Sequence, residues 1–416
     1  MRSPVSPSNH VTAPSPLAMA DGRPAAAAWS LSSKITHLNH GSYGAVPLTA
    51  QAQQSILRRQ MEASPGEWFP ALPEKIAAAR EEVAGFLRVC SADLAFVPNA
   101  SGGASVVYTS LPVQAGGDVL VTDHGYGAVT MGAERLAHRW RGSLRTAHVP
   151  LDADADTAYE AVISEVNEST GLIVIDHITS ATARWMPVER IAAEGRRRGI
   201  PILVDGAHVP GLAEEPVKGV DCDFWIGNLH KFACAPRGAA VLVAGSRLRD
   251  ELFPLIDSWG AKHPFPQRFD SQGTCDASSY LAAPAAFAFI EDTWGWTTAR
   301  TYMRQLADYA EQTVAAAMSE ATGEDCRTDV GMPVSALRLV RVPAPLAATH
   351  DEADALRDRV ARELNVAAAF TSFEGQGYLR LSTHVYNTAA DFEYFAERCV
   401  PVLKAWARAA SNGDQS

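Results

Sequence analysis

The chain reads as an α/β protein, with a large domain built on a mostly parallel sheet covered by helices on both faces and a smaller C-terminal α+β domain. Three observations predict this. Short, nearly all-apolar runs rich in Val, Ile and Leu recur between about residues 94 and 245, the pattern of strands buried on both faces. Segments of helical period separate them, as crossovers between parallel strands require. After about residue 290 the texture changes to long helical stretches with few strands.

In chain order, residues 1–28 are rich in Pro, Ala and Ser and lack any period, so a disordered tail is expected. Pro4, Pro7, Pro14 and Pro16 interrupt the apolar core that a signal peptide would need. The segment THLNHGSYGAVP (36–47) leads into helical patterns at 48–64 and 73–89. Strands are expected at LAFVPN (94–99), DVLVTD (118–123), GLIVIDHI (171–178), PILVDGAH (201–208), DFWIGN (223–228) and GAAVLVAG (238–245). Helices are expected near 103–111, 127–140, 156–167 and 187–198. The large domain thus runs over 29–290. The small one, 291–416, opens on a long helix at 296–321 that joins the two. It continues with a strand at 334–342, a helix at 351–364, a strand at 377–382 and a terminal helix at 388–408.

A formal net charge of −11 argues against a nucleic-acid or anionic-membrane partner, because both select a basic face. No run of about eighteen apolar residues is present, so no membrane span is expected. Six scattered cysteines without metal-ligand spacing read as reduced, mostly buried thiols of a cytoplasmic protein, and no metal is expected.

Four motifs carry chemistry. In NLHKFACAPRGAA (228–240), Lys231 follows an apolar strand and sits beside His230, where burial and nearby positive charge would lower its pKa. In PILVDGAHVPG (201–211), Asp205 closes a strand, at the sheet end where open α/β folds bind ligands. In VPNASGGASVV (97–107), the small-residue turn at Ala100, Ser101 and Gly102 opens a helix whose N–H groups can hold a phosphate. This motif matches neither the dinucleotide nor the Walker A pattern. In GYLRLSTHVYNT (377–388), Arg380 on a short strand offers the two-pronged donor set that grips a carboxylate. Each motif alone has a bland reading: a surface lysine, a helix N-cap, a tight turn, a strand arginine. Their joint order, with Asp205 and Lys231 separated by one further strand, points to catalysis.

Together, LVDGAHVPG, GNLHKFACAPRGAAVL, QGTCDASSYLAAPAA, LRLSTHVYNT and the earlier HLNHGSYGAVP resemble the fold-type I, pyridoxal-5′-phosphate-dependent class V aminotransferase family. Within it they are most similar to the isopenicillin N epimerase-like branch, over roughly residues 35–405. The resemblance implies the fold-type I architecture, a large domain with a mostly parallel seven-stranded sheet plus the small C-terminal domain. It implies pyridoxal phosphate bound as a Schiff base on Lys231, with Asp205 facing the ring nitrogen and His208 flanking the ring. Ala100, Ser101, Gly102, Asn228 and His230 fall on the phosphate side. Tyr126 falls where an aromatic ring stacks on the cofactor, with His124 a nearby alternative, and Thr179 and Ser180 fall near the phenolic oxygen. Thr274, in the GT-x-D motif, falls where the family reaches the cofactor phosphate of a neighbouring subunit, which implies a homodimer with shared sites. Arg380 is the implied carboxylate clamp. Cys275 stands where an Arg is frequent and Phe232 where a Trp is frequent, so any substrate role of that Arg is lost.

The implied reaction starts with Lys231 as general base at the substrate's Cα–H, and Asp205 and Tyr126 complete the catalytic set. Epimerisation, transamination and loss of a group from Cβ share that step. Epimerisation also asks for an acid on the opposite face, for which His40, Tyr43 and Tyr126 are candidates. No cysteine lies in VAAAFTSFEGQGYLR (366–380), which disfavours a persulfide route. The expectation is therefore epimerisation of a bulky amino acid or C–S lysis of a cysteine S-conjugate, in natural-product or sulfur metabolism. A class V aminotransferase or a non-catalytic pyridoxal-phosphate-binding protein are the alternatives.

Overall fold

The computed structural model describes residues 11–413. Its centre is a seven-stranded sheet. In chain order the strands are β1 (Leu94–Val97), β2 (Asp118–Thr122), β3 (Leu144–Ala147), β4 (Thr170–Asp176), β5 (Ile202–Asp205), β6 (Phe224–Asn228) and β7 (Ala240–Val243). Across the sheet they lie in the order β1-β7-β6-β5-β4-β2-β3. β3, β2, β4, β5 and β6 are mutually parallel, and β7 runs antiparallel to both its neighbours.

Alternate residues of these strands feed two cores. Ile173, Ile175, Ile202, Val204 and Trp225 face one; Leu172, Val174, Leu203, Phe224 and Ile226 face the other. Burial on both faces explains why the strands are continuously apolar. β3 was not foreseen in the sequence: it is an edge strand, LRTA, whose side chains are mostly partly exposed, so it lacks the apolar signature.

Helices α1 (Leu48–Ala63) and α2 (Pro65–Leu87) pack beside α7 (Ser278–Thr293). Between the strands come α3 (Ala100–Ser110), α4 (Gly127–Trp140), α5 (Ala155–Ile163) and α6 (Val188–Arg198). α8 (Trp296–Thr322) is the long connector: Trp296, Ala299 and Met303 join a large-domain core, while Tyr302, Leu306, Ala310 and Val314 join a third, C-terminal core. There β8 (Leu337–Arg341), β9 (Ala369–Phe373) and β10 (Gln376–Ser382) form an antiparallel sheet with β10 central. Helix α9 (His350–Leu364) packs on β9, α8 packs on β8 and β10, and α10 (Val400–Gly413) packs on α8. No described helix is long and apolar enough to cross a membrane.

Two expectations need correction. Residues 11–28 are not a loose tail. Leu17 packs against both neighbouring cores, Ala25 and Ala28 are buried, and Trp294 Nε1 donates to the Ala18 carbonyl at 2.7 Å. Aperiodic sequence excludes regular structure but not a strap held by scattered apolar contacts; residues 1–10 lie outside the described set. The cysteines divide evenly in kind: Cys234, Cys326 and Cys399 are buried, whereas Cys90 and Cys275 are exposed and Cys222 is intermediate.

Candidate active site

The carboxyl ends of β4, β5 and β6 meet the N-termini of α3 and α4 around a cavity of about 330 Å³. A larger cavity, about 820 Å³, lies at the opposite end of the sheet, beside Pro201 and Asp223, which precede β5 and β6. The smaller one holds the convergent polar groups, at the strand ends where parallel sheets bind ligands. Among its lining residues are Ala100, Ser101, Tyr126 and Ser180, with Asp205, His208, Asn228, His230 and Lys231 completing most of the set expected from the sequence.

Lys231 is buried, and its Nζ lies 3.0 Å from His208 Nε2. Burial, reinforced by the Arg380 charge, pushes its ammonium pKa down to about 7, against the pull of Asp205 and Asp176. His208 is held well below the usual imidazole range by burial and by the Lys231 charge, so it is neutral. The Asp205 carboxylate accepts the Ala207 N–H at 2.9 Å, and its pKa is raised by burial.

The α3 end shows how local sequence sets the phosphate-like cradle. Asn99 caps the helix, its Oδ1 accepting the Gly102 N–H at 2.8 Å, while Asn228 Oδ1 accepts the Ala100 N–H at 2.9 Å. Gly102 therefore spends its donor on the cap and does not line the cavity, contrary to expectation. Ser101 and the half-buried His230 remain at that end; burial pushes His230 down to about 4.

Arg380, on β10, reaches over from the C-terminal antiparallel sheet. Nη1 donates to the Ser180 carbonyl (2.7 Å) and Ser180 Oγ (3.1 Å); Nη2 donates to Ser42 Oγ (2.9 Å) and Asn39 Oδ1 (3.2 Å). Its Nε has no partner although buried. Burial lowers its pKa only to about 10, so the guanidinium stays charged.

Tyr126 is the N-cap residue of α4, 45% exposed at the cavity, whereas His124 is buried away from it, bonded to Thr182 Oγ1 and the Val149 carbonyl and stacked on Phe373. Thr179 is likewise turned inward, bonded to Thr182. Tyr43 stands at the mouth, 67% exposed. His40 does not reach the cavity. Its Nε2 donates to the Lys231 carbonyl at 3.0 Å, so its Nδ1 accepts from the Tyr386 hydroxyl, also at 3.0 Å. Both nitrogens are engaged, one on the lysine loop and one on Tyr386, so His40 presents no free nitrogen to the cavity. Next to it Gly44, at φ +66°, packs so closely on the His230 carbonyl that a Cβ would lie 1.7 Å from the oxygen. Thr274 sits exposed in a separate loop and does not line this cavity.

Asp176 and Ser42 line the cavity and were not singled out in the sequence. Asp176 closes an apolar strand just as Asp205 does, a signal that could have found it. Ser42 comes from the 40–43 turn of the HLNHGSYG segment, where His40 and Tyr43 drew attention but the small serine between them carried no signal of its own.

The chain matches the class-V aminotransferase family over residues 71–395. It is 30% identical over 389 residues to isopenicillin N epimerase of Amycolatopsis lactamdurans, covering 88% of this chain and 95% of that one. It is 23% identical over 372 residues to hercynylcysteine sulfoxide lyase of Schizosaccharomyces pombe, covering 87% and 92%. Among solved structures, the cystine C-S lyase C-DES in complex with its product cysteine persulfide superposes with a TM-score of 0.74 at 16% identity, covering 88% of this chain and 98% of that one. The chain therefore belongs to the class-V aminotransferase family of pyridoxal-5′-phosphate-dependent enzymes.

Proposed function

We propose that this enzyme removes the Cα proton of an amino acid whose carboxylate is held by Arg380, with Lys231 as the base. The carrying observation is the Arg380 guanidinium: buried, charged, without a carboxylate partner among the described residues, and with its Nε unmatched. An unpaired buried cation is costly unless a ligand anion completes it. The residues also fit pyridoxal phosphate. A buried amine poised near neutrality shares the cavity with a buried carboxylate, and Ser101 and His230 close the far end. When bound, the cofactor supplies the electron sink that makes Cα–H acidic. Lys231 would then take and return the proton, with neutral His208 holding its amine in place, and Asp205 would supply the negative charge that the cofactor's ring nitrogen calls for.

Two outcomes follow from that proton transfer. Loss of a sulfur group from Cβ needs no second base, and Lys231 alone meets it. Epimerisation needs a proton carrier on the opposite face, for which Tyr43 and Tyr126 at the mouth are the candidates; the likeness to isopenicillin N epimerases favours it. The assembly is a cytoplasmic homodimer in this reading, Thr274 reaching the partner's cofactor. The exposed Leu255, Ile256 and Trp259 support this, as apolar surface awaiting a cover.

Proton NMR in deuterated water, on cofactor-loaded enzyme with amino acids and cysteine S-conjugates, tests the reading. Cα–H exchange with an intact skeleton marks an epimerase, and pyruvate with a released sulfur species marks a C–S lyase. Absence of any Cα exchange across the panel sinks the proposal. Arg380→Ala should lower kcat/KM about ten- to hundred-fold, from the loss of roughly 1.5–3 kcal/mol of charged hydrogen bonding, while cofactor loading is retained.

A further inference from the structure

Asp176 ends β4 as Asp205 ends β5, and the two are register partners on adjacent parallel strands. Neighbouring strands lie about 4.8 Å apart, so the two carboxyls start from the same edge of one cavity. Both are buried, 5% and 2% exposed, and both line the cavity with Lys231. Among the described residues neither has an ion-pair partner within 4.0 Å. Two like charges in a buried site are not both tolerated; one member keeps a proton.

The surroundings decide which. Asp205 accepts the Ala207 N–H, which favours its ionised form. Asp176 is opposed by burial first and by the Asp205 charge second; the Tyr126 N–H and the more distant Lys231 act the other way. Tyr108, from α3, also lies near the pair, and burial and both carboxyls hold it in its neutral form; His208 in the same cavity and His177 beside Asp176 are held neutral by burial.

We propose that Asp176 is a positioning residue of the cofactor pocket, a neutral, proton-holding carboxyl that lets the pair present one negative charge, on Asp205, to the cofactor's ring nitrogen. The last clause rests on the cofactor reading above; the carboxyl pair itself does not. A second negative charge at this floor would raise the proton affinity of both the ring nitrogen and Lys231, so Asp176 keeps Lys231 deprotonatable near neutrality.

The test uses cofactor-free protein. A carboxyl that keeps its proton in the folded state and loses it in the unfolded one makes stability fall as pH rises, from the ordinary carboxylate value of about 4 up to the raised folded value. Denaturant unfolding of wild type should show that fall, and Asp176→Asn, which keeps an acceptor for the Tyr126 N–H, should flatten it by about one proton. Parallel pH–stability curves would overturn the proposal. Should the variant not fold, the infrared spectrum of wild type decides: a protonated-carboxyl band at neutral pH that vanishes in alkali supports the pair, and its absence overturns it. If the pair is found but wild type does not take up pyridoxal phosphate, the cofactor reading fails; if the protein loads but the curves are parallel, the pair fails alone.

Discussion

Lys231 is placed so that its charge is decided by its neighbours rather than by water. With a pKa of about 7, roughly half the amines are neutral and nucleophilic at neutral pH, whereas an exposed lysine at about 10.4 would offer almost none. Raising pH through this value deprotonates the amine, so the rate at which cofactor-free protein captures added pyridoxal phosphate should rise and then level off above about pH 8. Stopped-flow absorbance across that range checks it, and a rate still climbing tenfold per pH unit beyond it would refute the lowered value. Lys231→Ala should lose the covalent absorption altogether. This residue and Asp205 were legible in the sequence because each follows a continuously apolar strand. His40 was misread because its partners, the Lys231 carbonyl and Tyr386, lie 191 and 346 residues away, and no local pattern records such a contact.

At the level of elements, the 40–44 turn works as a brace under the lysine loop. Gly44 combines φ 66° with ψ 177°, a backbone region open in practice only to glycine, and its α-carbon abuts the His230 carbonyl. Gly44→Ala should therefore destabilise the protein by about 1–3 kcal/mol, seen in chemical denaturation, and should also slow cofactor capture because the lysine loop must shift. A variant as stable as wild type would show that the turn relaxes freely. Element identity was largely legible. The helix at 127–140 and the strand at 377–382 were read within a residue of their observed bounds, because their periodicity is strong. Missed were α7, whose Pro284 reads as a helix breaker, and β9, whose AFTSF alternates too weakly to stand out beside a run of alanines. Both are held by tertiary packing that overrides local preference.

For the whole molecule, the exposed apolar stretch at Leu255, Ile256 and Trp259, the last 88% exposed, is a surface that water disfavours. A double substitution Ile256→Asp, Trp259→Asp should convert a dimer to monomers in sedimentation velocity without unfolding either; wild type sedimenting as a monomer would remove the shared-site arrangement, and Thr274 with it. The change of texture near residue 290 falls between the strands of the seven-stranded sheet and those of the C-terminal antiparallel one, but how tightly the two parts are joined was not legible. α8 supplies side chains to two cores at once, and residues 11–28 are pinned by contacts with Trp294 at the preceding junction. A shared helix of this kind leaves neither part able to melt alone: unwinding it strips a wall from both. Calorimetry should record one endotherm rather than two, and a protease should find no early cut that frees an intact half.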